Sequence, residues 1–170
     1  MRYVSHLGLR RVAVGLVAVV ALAAVGFVTL SFTSGDAAQA SDDWTSGHSS
    51  YRTCSNYRTP YAYAYASRGR AGTVICWSYG YDVSVQGGAK DLKGGDGRCA
   101  VDRIRYQIRF SDGSWSAWHH RIMATACGLN STKISSWWWS THKTANVQMQ
   151  ACLRDGRYGA VLGWSCSGWK

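Results

Sequence analysis

CAVDRIRYQIRFSDGSWSAWHHRIMATAC, running from Cys99 to Cys127, carries the plainest structural signal in the chain. Ile104, Tyr106, Ile108 and Phe110 alternate with Arg103, Arg105, Gln107 and Arg109. A period of two, with β-branched and aromatic residues on one side, marks a half-buried strand. Asp112-Gly113 reverses the chain, because both residue types tolerate positive φ. Trp115 to Met123 then returns as the second strand of a long antiparallel hairpin, with Ile104 through Phe110 expected in the core. Two registers are open. A two-residue turn at Asp112-Gly113 pairs Phe110 with Trp115 and turns both inward. A three-residue loop with Gly113 as a bulge pairs Phe110 with Ser114 instead. One residue of slip exchanges the faces of the whole return strand. Phe-Ser-Asp-Gly-Ser suits a type I turn closed by a left-handed glycine, which favours the bulged register. That register sends Trp118 into the core and leaves Trp115 outside beside Arg109.

The hairpin also gives one disulfide a geometric argument. Cys99 lies eleven residues before Phe110 and Cys127 thirteen beyond Ser114, so the two ends nearly face each other. Six cysteines, at 54, 76, 99, 127, 152 and 166, allow fifteen pairings. Cys99–Cys127 is the preferred bridge, followed by Cys54–Cys76 and Cys152–Cys166. No Cys-x-x-Cys or His-x-x-x-His spacing supports a metal site, so disulfides are the better reading. No cofactor is implied.

Outward from this region the chain reads as an exported protein. Arg2, Arg10 and Arg11 precede an apolar run from Val12 to Leu30, and Ala38-Gln39-Ala40 offers a small-x-small cleavage site before Ser41. Residues 1–40 are therefore expected to be a signal peptide, with a retained membrane anchor as the alternative. The full chain carries 19 Lys and Arg against 9 acids, and no Glu. Cleavage removes Arg2, Arg10, Arg11 and Asp36, leaving 16 basic and 8 acidic side chains, a net charge of +8. Nineteen glycines, one proline and abundant Trp and Tyr argue for short strands with an aromatic core. The expected fold is all-β, a small disulfide-stapled antiparallel β-sandwich or barrel over residues 54–170, behind a flexible N-terminal tail at 41–53.

Several segments carry more specific expectations. In the tail, Trp44 and Tyr51 could anchor in a partner's groove. Tyr61, Tyr63 and Tyr65 alternate with alanines and form a row of rings, either packing or a glycan platform. Residues 67–72 read as a turn, 73–85 as one strand and 86–98 as an exposed glycine-rich loop. In Trp137-Trp138-Trp139, the outer pair shares one side and Trp138 faces the other. A last hairpin turns at Arg154-Asp155-Gly156-Arg157.

No paired carboxylates, nucleophile elbow or metal-ligand helix appears, so no catalytic residue is assigned and the chain reads as non-enzymatic. A ribonuclease built on His119, His120 and His142 is disfavoured, because adjacent strand residues point to opposite faces. The hairpin's outer face offers Arg103, Arg105, Arg109 and Trp115, residue types that dominate interface hot spots. The alternative is a self-satisfied cation–π ladder.

Trp115-Ser116-Ala117-Trp118 resembles the Trp-Ser-x-Trp runs of thrombospondin type-1 repeats and cytokine receptors, whose Trp–Arg ladders are mainly structural. Val74-Ile-Cys-Trp77, followed by the Tyr-x-Ile-x-Phe hairpin, is similar in rhythm to bacterial Src-homology-3-like wall-binding barrels over residues 73–122, without their Gly-Trp-Val ending. The overall layout of leader, aromatic-dotted polar tail and cysteine-stapled β domain resembles the small secreted adaptor subunit of actinobacterial umbrella toxin particles. That resemblance implies a non-enzymatic linker in an antibacterial toxin complex. Its tail would engage a lectin-like subunit and its β domain the toxin stalk. The expectation is a secreted structural adaptor. The alternative is a cell-wall or glycan-binding module using Tyr61, Tyr63, Tyr65 and Trp138, with an anionic cell-wall polymer as ligand. Neither nucleic acid nor, after leader cleavage, a membrane is expected as a partner.

Overall fold

A computed structural model of the chain describes residues 43–170, so the expected leader lies outside the described residues. The fold is all-β. Among the described residues, eleven strands form two antiparallel sheets: β1 (Trp44–His48), β2 (Asn56–Arg58), β3 (Tyr61–Tyr63), β4 (Gly69–Trp77), β5 (Val83–Asp91), β6 (Arg98–Ile108), β7 (His119–Cys127), β8 (Thr132–Ile134), β9 (Trp137–Ser140), β10 (Thr144–Asp155) and β11 (Val161–Leu162). The larger sheet runs β1-β9-β5-β4-β2, with β3 also on β4 and β8 also on β5; the smaller runs β11-β10-β6-β7. They pack face to face as a sandwich. Ile75, Val83 and Val85 of one sheet meet Ile104, Tyr106, Val147, Met149 and Leu153 of the other. Each fully buried aliphatic contributes about 1.5–3 kcal/mol. Near Cys99 the sheets come together over Ala89, Ala100, Ala124 and Ala126, a second cluster built only of small side chains.

The hairpin turns as the bulged register requires. Phe110 N–H donates to Ser114 O at 2.9 Å, Gly113 N–H donates to Phe110 O at 3.0 Å, and Gly113 sits at φ +87°. Asp112 Oδ1 accepts from Ser114 N–H and its hydroxyl, locking the loop. The register does not hold along the whole ladder. Arg109 faces Trp115, but Tyr106 faces His119, so the return strand gains one residue at Ala117-Trp118. Ser116 Oγ accepts the Ile108 N–H there, in place of a backbone carbonyl. A second shift between Asp102 and Arg103 brings Cys99 opposite Cys127.

Those irregularities correct two expectations. Trp118 is not core: carried out by the extra residue, it is 38 % exposed. Phe110 is 53 % exposed, because the core ends at Ile108 and the ladder narrows to one bridge beyond it. The disulfides are Cys54–Cys76, Cys99–Cys127 and Cys152–Cys166, the preferred pairing.

The expected flexible tail is also corrected. Residues 44–48 form β1 on β9, Trp44 is buried edge-on against Tyr106, and Thr141 N–H donates to Asp43 O. Residues 73–85 are two strands rather than one, joined by a tight turn through Tyr79–Tyr81, where Gly80 and Tyr81 adopt positive φ. The strands extend further than expected on both sides: β4 begins at Gly69, and β5 runs through Gln86–Asp91. Tyr65 leaves the tyrosine strand for a 3₁₀ turn. Beyond the Arg154–Arg157 turn, β11 is brief, but Ser167 and Lys170 rejoin β10 by backbone bonds to Ala151 and Met149.

Candidate functional site

Two polar clusters sit between the sheets. Asp102, fully buried on β6, accepts from Thr73 Oγ1, at 3.0 and 2.9 Å from its two oxygens, and from Gly88 N–H at 3.0 Å. Room for this carboxyl exists because residue 87 is glycine; a Cβ there would collide with Asp102 and Met123. Burial pushes the Asp102 pKa up to about 8, against lowering by the Thr73 and Gly88 hydrogen bonds. Its hydrogen bonds tie β6 to β4 and β5, one sheet to the other, and burial favours its neutral form.

The second cluster surrounds the start of β1. Asp43 accepts from Tyr106 Oη at 2.8 Å and lies 3.0 Å from His119 Nδ1. Burial, then the hydrogen bond to Asp43, raises the Tyr106 phenol above its ordinary range. Arg121 is 9 % exposed, with its guanidinium 3.7 Å above the Trp138 ring. Burial lowers its pKa, while Tyr106 and Asp43 raise it. This geometry corrects one candidate: Trp138 packs against the core under Arg121 and is no exposed glycan platform. His119 and His120 diverge as expected, His119 toward Asp43 and His120 toward Arg103 and Trp169.

On the outer face of the smaller sheet, Arg103 and Arg105 belong to a ladder. Arg105 lies between Trp118, at 4.2 Å, and Trp169, at 4.6 Å, and its Nε donates to Gln148 Oε1 at 2.7 Å. Arg103 also lies over the Trp169 ring, at 5.3 Å, and contacts His120 Nδ1 at 3.0 Å. Stacked and hydrogen-bonded, these arginines are engaged within the fold.

Four residues on, just past the end of β6, the picture changes. Arg109 is exposed and stands 5.5 Å from the Tyr81 ring and 5.8 Å from Trp115. Tyr81 and Trp115 meet edge to face across the two sheets' turns at 5.7 Å. Tyr79 and Phe110 stand open beside them at 87 % and 53 % exposure. Of the tail candidates, Trp44 is buried in the core and Tyr51 remains exposed, edge-on to Trp137. At the other end of β4, Tyr61 and Tyr63 are exposed and touch edge to face, while Tyr65 turns to Trp164. The expected row of three rings is thus a pair and a separate ring.

No known family model, curated protein or solved structure matches the chain. Sequence reasoning missed Tyr79, Tyr81, Trp169 and Arg121. Ser78–Asp82 carries Gly80, which alone could have flagged a turn. Trp169 follows an irregular glycine-containing stretch with no period to place it.

Proposed function

We propose that the protein is a secreted, non-enzymatic structural adaptor that joins protein subunits of an extracellular assembly through the tip of its long hairpin. The observation that carries this reading is the open cluster of Arg109, Tyr81 and Trp115, flanked by Phe110 and Tyr79. Among the described residues the Arg109 guanidinium makes no hydrogen bond or ion pair, so it has donors to offer a partner. Buried Trp, Tyr and Arg anchors supply most interface energy. Three disulfides fit an oxidising compartment, and among the described residues no helix is long and apolar enough to cross a membrane. The layout's resemblance to umbrella toxin adaptors supports a lectin-like subunit and a toxin stalk as the partner class. Trp44 takes no part in such contacts, since the fold consumes it.

The test is co-purification of the tagged full-length protein from native culture medium under mild conditions. The wild type should bring defined protein partners, and Arg109→Ala with Trp115→Ala should lose at least one. A wild-type protein that emerges alone, or a double variant that keeps every partner, overturns the reading.

A further inference from the structure

A second surface, away from the hairpin tip, has a different chemistry. Between edge strand β3 and the residues that rejoin β10 runs an open groove of about 780 Å³, lined by Arg58, Tyr61, Tyr63, Ser167 and Lys170 among others. Arg58 also lines a neighbouring depression of about 450 Å³ that reaches Trp77 and Trp118. The two meet at Arg58 and, taken as one track, reach along β4 from the level of Arg70, opposite Tyr63, to Trp77. The seven steps of strand from Arg70 to Trp77 make it about 23 Å long. Among the described residues no acidic side chain lines either part. Arg58 and Lys170 are exposed, and a third cation, Arg70, lies 5.8 Å from the Tyr61 ring.

We infer that this track binds an extended anionic glycopolymer, its charges met by Arg58 and Lys170 and its sugar or polyol faces by Tyr61 and Tyr63. An acidic peptide would gain most by adding a strand to the open edge of β3. Pro60 stands at the start of that edge and has no N–H to give, a device that blunts strand addition. Rings held exposed beside cations that, among the described residues, form no ion pair suit a ligand read by its faces and charges. Length matters too: a track of this span holds several repeat units at once, so affinity rises with chain length.

The probes are polygalacturonate and polyribitol phosphate, which separate carboxylate from phosphate sources, with neutral dextran as the reference. Binding to the full chain is measured by calorimetry at about 50 mM and about 500 mM salt, where screening distinguishes charge contacts. At least one anionic polymer should bind at least about tenfold tighter than dextran. Arg58→Gln with Lys170→Gln, which keeps both aliphatic stems, should weaken it at least about tenfold, and Tyr61→Ala with Tyr63→Ala at least about fivefold. Lys143→Ala with Arg157→Ala removes the same charge from other exposed positions and should change affinity less than about twofold. Equal loss in that control pair, dextran bound as tightly as the polyanions, or no binding at low salt overturns the site. The groove variants leave Arg109 and Trp115 intact, so partner co-purification separates failure here from failure at the hairpin tip.

Discussion

Arg105 lies on β6 and Arg109 one residue past its end, four residues apart in the chain, and both lie beside aromatic rings. Arg105 is closed: two indoles sandwich its guanidinium and Gln148 takes its Nε–H. Arg109 is open, with both rings beyond 5 Å and no hydrogen bond to its guanidinium among the described residues. Position in the ladder makes the difference. Arg105 lies over paired strands, where β10 supplies Gln148 and the last residues of the chain bring Trp169. Arg109 lies past the extra residue at Ala117-Trp118 and past the end of β6, where a single bridge to Trp115 and the bond from Arg109 N–H to Lys143 O are all that continue the pairing. Cation–aromatic pairs therefore mean structure at the centre of this sheet and availability at its end.

The same division between groups the fold consumes and groups it leaves open predicts opposite pH responses for two aspartates. Asp102 is raised from its ordinary value to about 8, so the stability it contributes is full below about pH 4 and is lost as pH rises through about 8. The whole swing is on the order of 6 kcal/mol. Denaturant midpoints should fall between pH 4 and 9, and Asp102→Asn should flatten that slope. A slope unchanged in the variant would break the assignment. Asp112 is exposed and held below the ordinary range by its Ser114 hydrogen bonds, so its smaller contribution is lost as pH falls.

Two tryptophans test the division next. Trp44→Ala removes a buried ring from the core and should cost about 3–5 kcal/mol. Trp115→Ala, at an exposed tip, should cost less than about 1 kcal/mol. Equal thermal midpoints for the two variants would mean that residues 44–48 contribute nothing to the folded sheet.

How much of this could be read from residues alone follows the same line. The β6–β7 hairpin, its glycine-closed turn and the Cys99–Cys127 bridge were legible, because alternation and turn chemistry are local. The strand role of residues 44–48 was not. Only Trp44 of that run points inward, while Thr45, Ser46 and Gly47 are exposed, so no period betrays it. Pairing with β9, nearly a hundred residues on, supplies the strand, and such long-range pairing leaves no local trace. The slip at Ala117-Trp118 was hidden for a related reason. Ser116 Oγ replaces a backbone acceptor there, and a serine's pattern does not announce that. The tyrosine pair at 61 and 63 was visible as an alternation; Arg58 and Lys170 meet it only through the fold.

The arginines themselves give the closer tests. Arg105→Ala should cost about 1–2 kcal/mol through lost stacking and the Gln148 bond, whereas Arg109→Ala should cost less than about 0.5 kcal/mol. The smallest effect is the most discriminating. Arg109→Lys keeps the charge and the stem but removes the planar fork that stacks on Tyr81 and Trp115 and presents several donors together. Stability should not change measurably. Retention of the co-purifying partner should nevertheless fall, its off-rate rising several-fold, about 1 kcal/mol. If lysine restores full retention, the tip acts through charge alone, and the aromatic flanks of Arg109 are no more part of an interface than those of Arg105.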